Sequence, residues 1–138
     1  MRTVLYHLRI GTEAEVVALL GKTFRVQPGP PWIADVDGDA CLYINLYRDH
    51  ATEFEPEDFQ NLIALFGGIP ITVRADISGR HEGDLQVRDL AALLLGRFGG
   101  MATDDYTAHL WTLDEIQRNA LVEGHPFFDY RGWYVGLS

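Results

Sequence analysis

The sequence predicts a single α+β domain over residues 1–138, with a mixed or antiparallel sheet and helices packed mainly on one face. Three observations support this class. The chain length is typical of one domain, 47% of the residues are apolar, and strand-like alternation interleaves with helical periodicity. The predicted order is β-α-β-β-α-β-α-β-α with about five strands, and two split β-α-β units in that order would give a ferredoxin-like arrangement.

The first half of the chain is predicted to contain a strand, a capped helix and a hairpin. Residues 3–10 are rich in β-branched and aromatic side chains, which is typical of a strand. Thr12 and Glu15 have the spacing of a capping box and predict the start of a helix. The prolines within residues 27–31 predict a loop. Asp37-Gly38 predicts a hairpin turn, because this pair tolerates positive φ.

The second half is predicted to hold two longer helices separated by a strand over residues 70–78. Pro56 suits the first turn of a helix that ends at Gly67-Gly68. Asp84 is predicted to cap the longest helix, whose apolar stripe runs from Val87 to Phe98.

Further along the chain, residues 101–111 are predicted to form one strand or two short ones. A second capping box, Thr112 with Glu115, predicts a short helix that ends near Asn119. The aromatic segment that follows, residues 125–134, is predicted to pack into the core over residues 127–134, because tyrosine and tryptophan bury large areas. An interface and a ligand cage remain the alternatives for this segment.

Charge is unevenly distributed along the chain. The formal net charge is −9, and residues 35–68 hold eight acidic residues against one basic residue, Arg48. Nucleic-acid binding requires clustered lysine and arginine, so neither a nucleic acid nor an anionic membrane is an expected partner. An acidic surface would instead attract a basic protein. The predicted partner-binding residues are the acidic ones of this segment: Asp35, Asp37, Asp39, Asp49, Glu53, Glu55, Glu57 and Asp58.

The sequence also indicates a compartment. Cys41 is the single cysteine and forms no internal disulfide, which favours a reducing environment. No apolar run reaches the roughly 20 residues of a membrane span, and the start lacks the features of a signal peptide. We therefore expect a cytoplasmic protein.

No motif predicts a catalytic residue, a cofactor or a metal. Residues 35–39 resemble the start of a calcium loop, but the positions that require glycine and glutamate hold Ala40 and Leu46. Residues 76–84 match no phosphate-binding fingerprint, although a strand-to-helix loop of this kind could bind an anion. The alternative to a binding protein is a small enzyme or ligand binder with a cleft around four residues: Asp76, Arg80, Asp104 and His109.

Three phrases of the sequence resemble small bacterial immunity proteins of polymorphic or contact-dependent toxin systems. They are FGGIPITVRADISGR, RFGGMATDDYTAHLWTLDEI and HPFFDYRGWY, within roughly residues 58–134. The resemblance implies a protein that binds and blocks one cognate toxin made by the same cell. We expect this protein to be a monomer or a homodimer. It supplies no binding residues. The acidic segment is compatible with this role, because many toxins that act on nucleic acids have basic clefts.

Overall fold

The computed structural model describes the backbone of residues 2–27 and 29–136, and side chains within residues 2–24 and 30–133. The strands are β1 (Arg2–Leu8), β2 (Arg25–Gln27), β3 (Gly29–Val36), β4 (Asp39–Tyr47), β5 (Ile71–Ile77), β6 (Gly100–Thr103) and β7 (Trp111–Thr112). The helices are α1 (Glu13–Thr23), α2 (His50–Glu53), α3 (Pro56–Phe66), α4 (Asp84–Phe98), α5 (Leu113–Gln117) and α6 (Tyr130–Gly136). The predicted α+β class is confirmed.

The strands form one antiparallel sheet in the order β2-β3-β4-β5-β1-β6-β7. The sequence analysis expected about five strands and did not predict β2. Residues 101–111, predicted as one strand or two short ones, contribute to two, β6 and β7. β2 and β7 have three and two residues and lie at the two edges. Such short strands are too brief for alternation to be visible in the sequence.

The four central strands reproduce the predicted ferredoxin-like pattern. β5 and β6 flank β1 and are joined by α4, while β1 and β4 flank β5 and the connection between them contains α1. Each pair is therefore parallel with one antiparallel strand inserted, which is the split β-α-β unit. The β2–β3 hairpin is an addition within the first unit, and α2 and α3 are an addition between β4 and β5.

The predicted hairpin turn is confirmed at Asp37-Gly38, where φ is 51° and 79° and β3 meets β4. The loop predicted over residues 27–31 is wrong in extent. Gln27 ends β2 and Gly29 begins β3, while Pro28 lies outside the described residues. Prolines are compatible with strand positions near an edge, so the proline signal did not exclude strand at residues 29–31.

One face of the sheet carries the main core. Alternate residues Val4, Tyr6 and Leu8 of β1 point to this face, and the Tyr6 hydroxyl donates a hydrogen bond of 2.7 Å to the Val87 carbonyl of α4. The side chains that α1 and α4 bury in this core are Val16, Leu20, Val87, Leu90, Ala91, Leu94, Leu95 and Phe98. The helices of the two split β-α-β units, α1 and α4, thus pack against the same side of the sheet.

The predicted N-cap of α4 needs a correction. Gly83, and not Asp84, is the N-cap, with φ of 77°. A β-carbon at Gly83 would approach Ile77 Cγ2 to 2.6 Å. Glycine is therefore required both by the left-handed backbone and by the contact with the end of β5. Asp84 lies in the first turn, where its charge is favourable to the helix dipole.

The opposite face of the sheet is covered in part by α2 and α3. His7 of β1 and Thr72 of β5 are neighbours across the strand pair, and both are buried beneath these helices. The helix α2 was not predicted, because four residues are too few to show a periodicity.

The aromatic segment is anchored in the core by its first residues. Phe127 and Phe128 are buried, and Tyr130 and Trp133 are half-buried. The side chain of Tyr134 lies outside the described residues. The prediction that the segment packs into the core therefore holds for Phe127 and Phe128. In the described part of the chain, no helix has both the length and the apolar character needed to cross a membrane.

Candidate functional site

A groove of about 580 Å³ opens between α2–α3 and the loop that joins β6 to β7. We call it the acidic groove. Its lining residues are Glu53, Phe54, Glu55, Asp58, Asn61, Leu62, Thr103, Asp104, Asp105, Thr107, Ala108 and Leu110. Five of these are carboxylates and none is basic. The volume is within the range typical of ligand pockets in proteins.

One wall of the acidic groove is set by the start of α3. Pro56 occupies the first turn, where the missing N–H of proline is harmless, and Glu57 and Asp58 follow it. Acidic side chains are stabilised at this end of a helix by the dipole, so the local fold itself favours negative charge here. Glu55, the N-cap residue, and Asp58 are both exposed.

Asp104, on the other wall, is a structural carboxylate. It is 9% exposed and accepts backbone N–H bonds from Tyr106 at 3.1 Å, from Thr107 at 3.3 Å and from Phe128 at 2.8 Å. These bonds turn the chain after β6 and fix the aromatic segment to it. Both carboxylate oxygens are thus occupied by the fold itself.

Asp105 differs from its neighbour. Its carboxylate accepts one N–H bond, from Thr3 at 2.7 Å, and the residue as a whole is exposed. Burial of the carboxyl group raises the pKa of Asp105, the Thr3 bond acts against this, and the negative charge of Asp104 raises the pKa further. An incoming cation would relieve the repulsion between the two carboxylates.

Apolar side chains complete the acidic groove. Leu62 is buried, and Phe54 and Leu110 are half-buried. A negatively charged rim over an apolar floor suits a lysine or arginine side chain, whose stem is apolar and whose end is cationic. The arrangement is chemically suited to bind a cationic side chain.

The structure divides the eight predicted binding residues between separate places. Glu53, Glu55 and Asp58 line the acidic groove. Asp39, near the hairpin tip, receives two bonds from Arg80, of 2.9 and 3.0 Å, and its pKa is lowered by Arg80 and then by His81.

The other predicted residues lie elsewhere. Asp37 is in the hairpin turn, Asp35 lines a different groove beside α4, and Glu57 is in the first turn of α3. Asp49, the N-cap residue of α2, follows the far end of β4 from Asp39. At about 3.4 Å per residue, eight steps along β4 separate the two ends by about 27 Å. The acidic segment is therefore not one continuous rim.

Each of the four residues of the alternative cleft contacts other partners. Asp76 binds the hydroxyl of Thr3 and the guanidinium of Arg74, whereas Arg80 binds Asp39. Asp104 is occupied by backbone N–H groups, and His109 contacts Glu115 at 3.1 Å. Among the described residues, no hydrogen bond or ion pair joins any two of the four residues that were expected to share this cleft: Asp76, Arg80, Asp104 and His109.

The loop over residues 76–84 is tied to the chain start by a cation. The guanidinium of Arg2 donates to the carbonyls of Ser78, His81 and Glu82, and it lies 4.3 Å from the centre of the Tyr130 ring. The loop thus presents carbonyl oxygens inward to Arg2. An anion bound to this loop would have to compete with the carboxylate of Asp39, which already contacts His81.

Sequence reasoning gave no indication that two histidines are buried. His7 and His50 are 0% and 2% exposed and both contact the hydroxyl of Thr72. The available signal was the alternation of β1, which places His7 on the opposite face from Tyr6. Within the described residues, no group of three or more histidine, cysteine or acidic side chains has the arrangement of a metal site.

Comparisons of the chain with protein-family profiles, with curated proteins and with solved structures gave no match.

Proposed function

We propose that this chain is a binding protein without an active site, which engages a basic protein through the acidic groove and neutralises it. The resemblance of its sequence phrases to bacterial immunity proteins names the partner class as a cognate toxin. The observation that carries the proposal is the composition of the groove, in which five carboxylates and no basic side chain surround an apolar floor.

Electrostatics support association with a cation-rich partner. The chain carries a formal charge of −9, and the groove concentrates part of it in a concave surface. Clefts lined by one sign of charge focus the field and raise association rates by about 10- to 1000-fold, and salt screens this effect. Steering of this kind serves an inhibitor that must capture its target quickly.

The groove also supports a definite kind of contact. A partner lysine or arginine would lay its stem on Leu62 and Leu110 while its charged end reaches Glu55 and Asp58. Asp104 would not take part directly, because its oxygens already accept three backbone N–H bonds. We therefore expect the exposed carboxylates of α3 to contribute most to partner contact.

The function is tested by co-expression in a sensitive host with a candidate toxin, sought first among the products of neighbouring genes. The proposal expects cells to survive and a complex to persist through gel filtration. Equal killing with and without the chain, together with no complex, would show that it is not an inhibitor of that toxin.

Matched variants assign the contact to the groove. Glu55→Lys with Asp58→Lys should abolish protection, while Asp89→Lys with Glu123→Lys makes the same change in net charge outside the groove and should preserve it. Lysine near the start of α3 costs about 0.3–1 kcal/mol per residue through the helix dipole, so circular dichroism of the first variant must show a folded chain. If the groove variant still protects the cells, the toxin must contact another surface of the chain.

A further inference from the structure

Two buried histidines and one threonine meet beneath α2 and α3. His7 Nδ1 lies 3.0 Å from Thr72 Oγ1, and His50 Nε2 lies 2.7 Å from the same oxygen. Thr72 Oγ1 is also 3.3 Å from the Pro70 carbonyl oxygen. All three side chains are at most 2% exposed. We call His7, His50 and Thr72 the histidine cluster.

A single assignment of hydrogens satisfies these contacts with both rings neutral. The Thr72 hydroxyl donates to the Pro70 carbonyl and accepts from His7 Nδ1–H and His50 Nε2–H. His7 Nε2 then carries no hydrogen, and Thr103 Oγ1 lies 3.5 Å from it. His50 Nδ1 carries no hydrogen in this assignment, and it is buried with no hydrogen-bond partner among the described residues. Protonation of either ring would add a buried donor on a nitrogen that this arrangement uses as an acceptor or leaves unpaired.

Aromatic rings pack against both histidines of the cluster. Phe54 lies edge-on to His7 with ring centres 6.0 Å apart, and Phe66 is 6.3 Å from the same ring. Tyr47 packs edge-on against His50 at 4.8 Å. Because Phe54 and Phe66 come from the α2–α3 segment, release of that segment would uncover His7. His50 and Thr72 also line a small groove of about 190 Å³ at the edge of the cluster, so His7 is the more deeply enclosed of the two histidines.

The surrounding charges offer little support for a cation. Within the described residues, no carboxylate is hydrogen-bonded to either imidazole. Asp49 raises the pKa of His50, but burial lowers it more strongly. For His7, burial and then the neighbouring His50 lower the pKa to about 3.

Other charged or titratable groups near the cluster are engaged around it. They are Arg9 over the Phe66 ring, Glu13 paired with Arg48 beside His50 and Thr72, and Glu53 hydrogen-bonded to Tyr47.

The α2–α3 segment is thinly attached to the sheet. The buried residues of these two helices are His50 in α2 and Leu62 in α3, whereas α4 buries six residues. Protonation of the histidine cluster should therefore destabilise the docking of α2–α3 on the sheet much more than the docking of α4. The segment also supplies one wall of the acidic groove, through residues 53–62.

We propose that the histidine cluster is a pH-sensitive latch, which holds α2–α3 on the sheet at neutral pH and releases it on acidification. Release removes one wall of the acidic groove. The consequence for a bound partner rests on the proposed function, whereas the release itself does not.

The direction follows from proton linkage. Both histidines bind protons more weakly when α2–α3 is docked than when it is open, so the docked state is fully favoured above the ordinary histidine pKa of about 6.5. As the pH falls below about 6.5, each histidine shifts the opening equilibrium towards the open state by up to about tenfold per pH unit. The shift for His7 continues to its docked pKa of about 3.

The test is amide hydrogen exchange of the full chain, followed residue by residue by NMR between about pH 7.5 and about pH 5, where histidines are the side chains that ordinarily titrate. Exchange is corrected for its intrinsic pH dependence. The amides of α3 are expected to open at least about tenfold more often at the lower pH, while those of α4 change much less.

Variants identify the groups responsible. His7→Asn with His50→Gln preserves donors towards Thr72 but cannot titrate, and it should remove the pH dependence of α3. The control His81→Gln removes a histidine beside Asp39 and should leave that dependence unchanged. The latch is contradicted if α3 and α4 lose protection together, or if the dependence persists in the double variant.

If the double variant does not fold, the unaltered chain still decides the matter. NMR titration of its imidazole rings should show His7 and His50 neutral for as long as α3 is protected. A ring that titrates near its ordinary pKa while α3 stays docked would overturn the latch. These measurements need no partner, so they remain interpretable if the toxin assay fails. Conversely, a negative result for the latch does not contradict binding of a partner at neutral pH.

Discussion

Replacement of Asp104 by asparagine tests whether this groove residue supports the fold. Two N–H donors, from Tyr106 and Thr107, point to Oδ1, and one, from Phe128, points to Oδ2. Asparagine offers one oxygen and one NH₂ group, so either orientation places an NH₂ against a backbone donor. Leaving a buried N–H unpaired costs about 1–3 kcal/mol, and losing the charge on the remaining bonds adds to this. We expect destabilisation of about 2–4 kcal/mol.

Urea unfolding measures this loss, with the denaturant slope as a check that the unfolding reaction is unchanged. Asp105→Asn is the matched control, because its carboxylate accepts one bond, from Thr3, and its pKa is raised by burial. That control should shift the midpoint much less. If Asp104→Asn unfolds within about 0.5 kcal/mol of the parent, the range of ordinary surface changes, the proposed anchoring of the loop and tail is wrong.

Three further predictions concern the core, the backbone and pH. Phe127→Ala should destabilise by about 3–5 kcal/mol and half-buried Trp133→Ala by less, and thermal melts that rank them in reverse would refute this. Gly100→Ala would drive a β-carbon into the His7 carbonyl oxygen, so the variant should unfold far more readily than Gly79→Ala, where no atom of the described residues lies within 4 Å. Equal urea midpoints would contradict this. Because the pKa of His7 is lowered to about 3, stability should be full above about pH 6.5 and decline below it, and a melting temperature that does not fall between about pH 7 and about pH 5 would oppose this.

Local signals predicted much of the fold. Both capping boxes are present as expected, Thr12 with Glu15 and Thr112 with Glu115, because each depends on residues three apart. The Asp37-Gly38 turn is likewise a short-range preference. The cap of α4 was assigned wrongly to Asp84, since the contact of Gly83 with Ile77 that requires glycine is invisible in a local pattern.

The candidate site could be predicted only in part. The negative charge of residues 35–68 was evident from the sequence, and three of the eight acidic side chains in that segment line the acidic groove. The opposite wall, with Asp104 and Asp105, lies some 50 residues further along the chain and arrives there through the pairing of β6 with β1. The histidine cluster also depends on strand register, because His7 meets Thr72 across β1 and β5. Such long-range pairings leave no short sequence signal.

The central claim, that the acidic groove captures a basic partner, is tested most directly by association kinetics. The rate constant for binding the candidate toxin is measured at low and at physiological salt for three chains: the parent, Glu55→Lys with Asp58→Lys, and the control Asp89→Lys with Glu123→Lys. We predict that the groove variant associates at least about tenfold more slowly than the parent at low salt. Physiological salt should reduce this difference in association rate, and the control should associate at a rate close to that of the parent. Equal association rates for the groove variant and its control would contradict the claim.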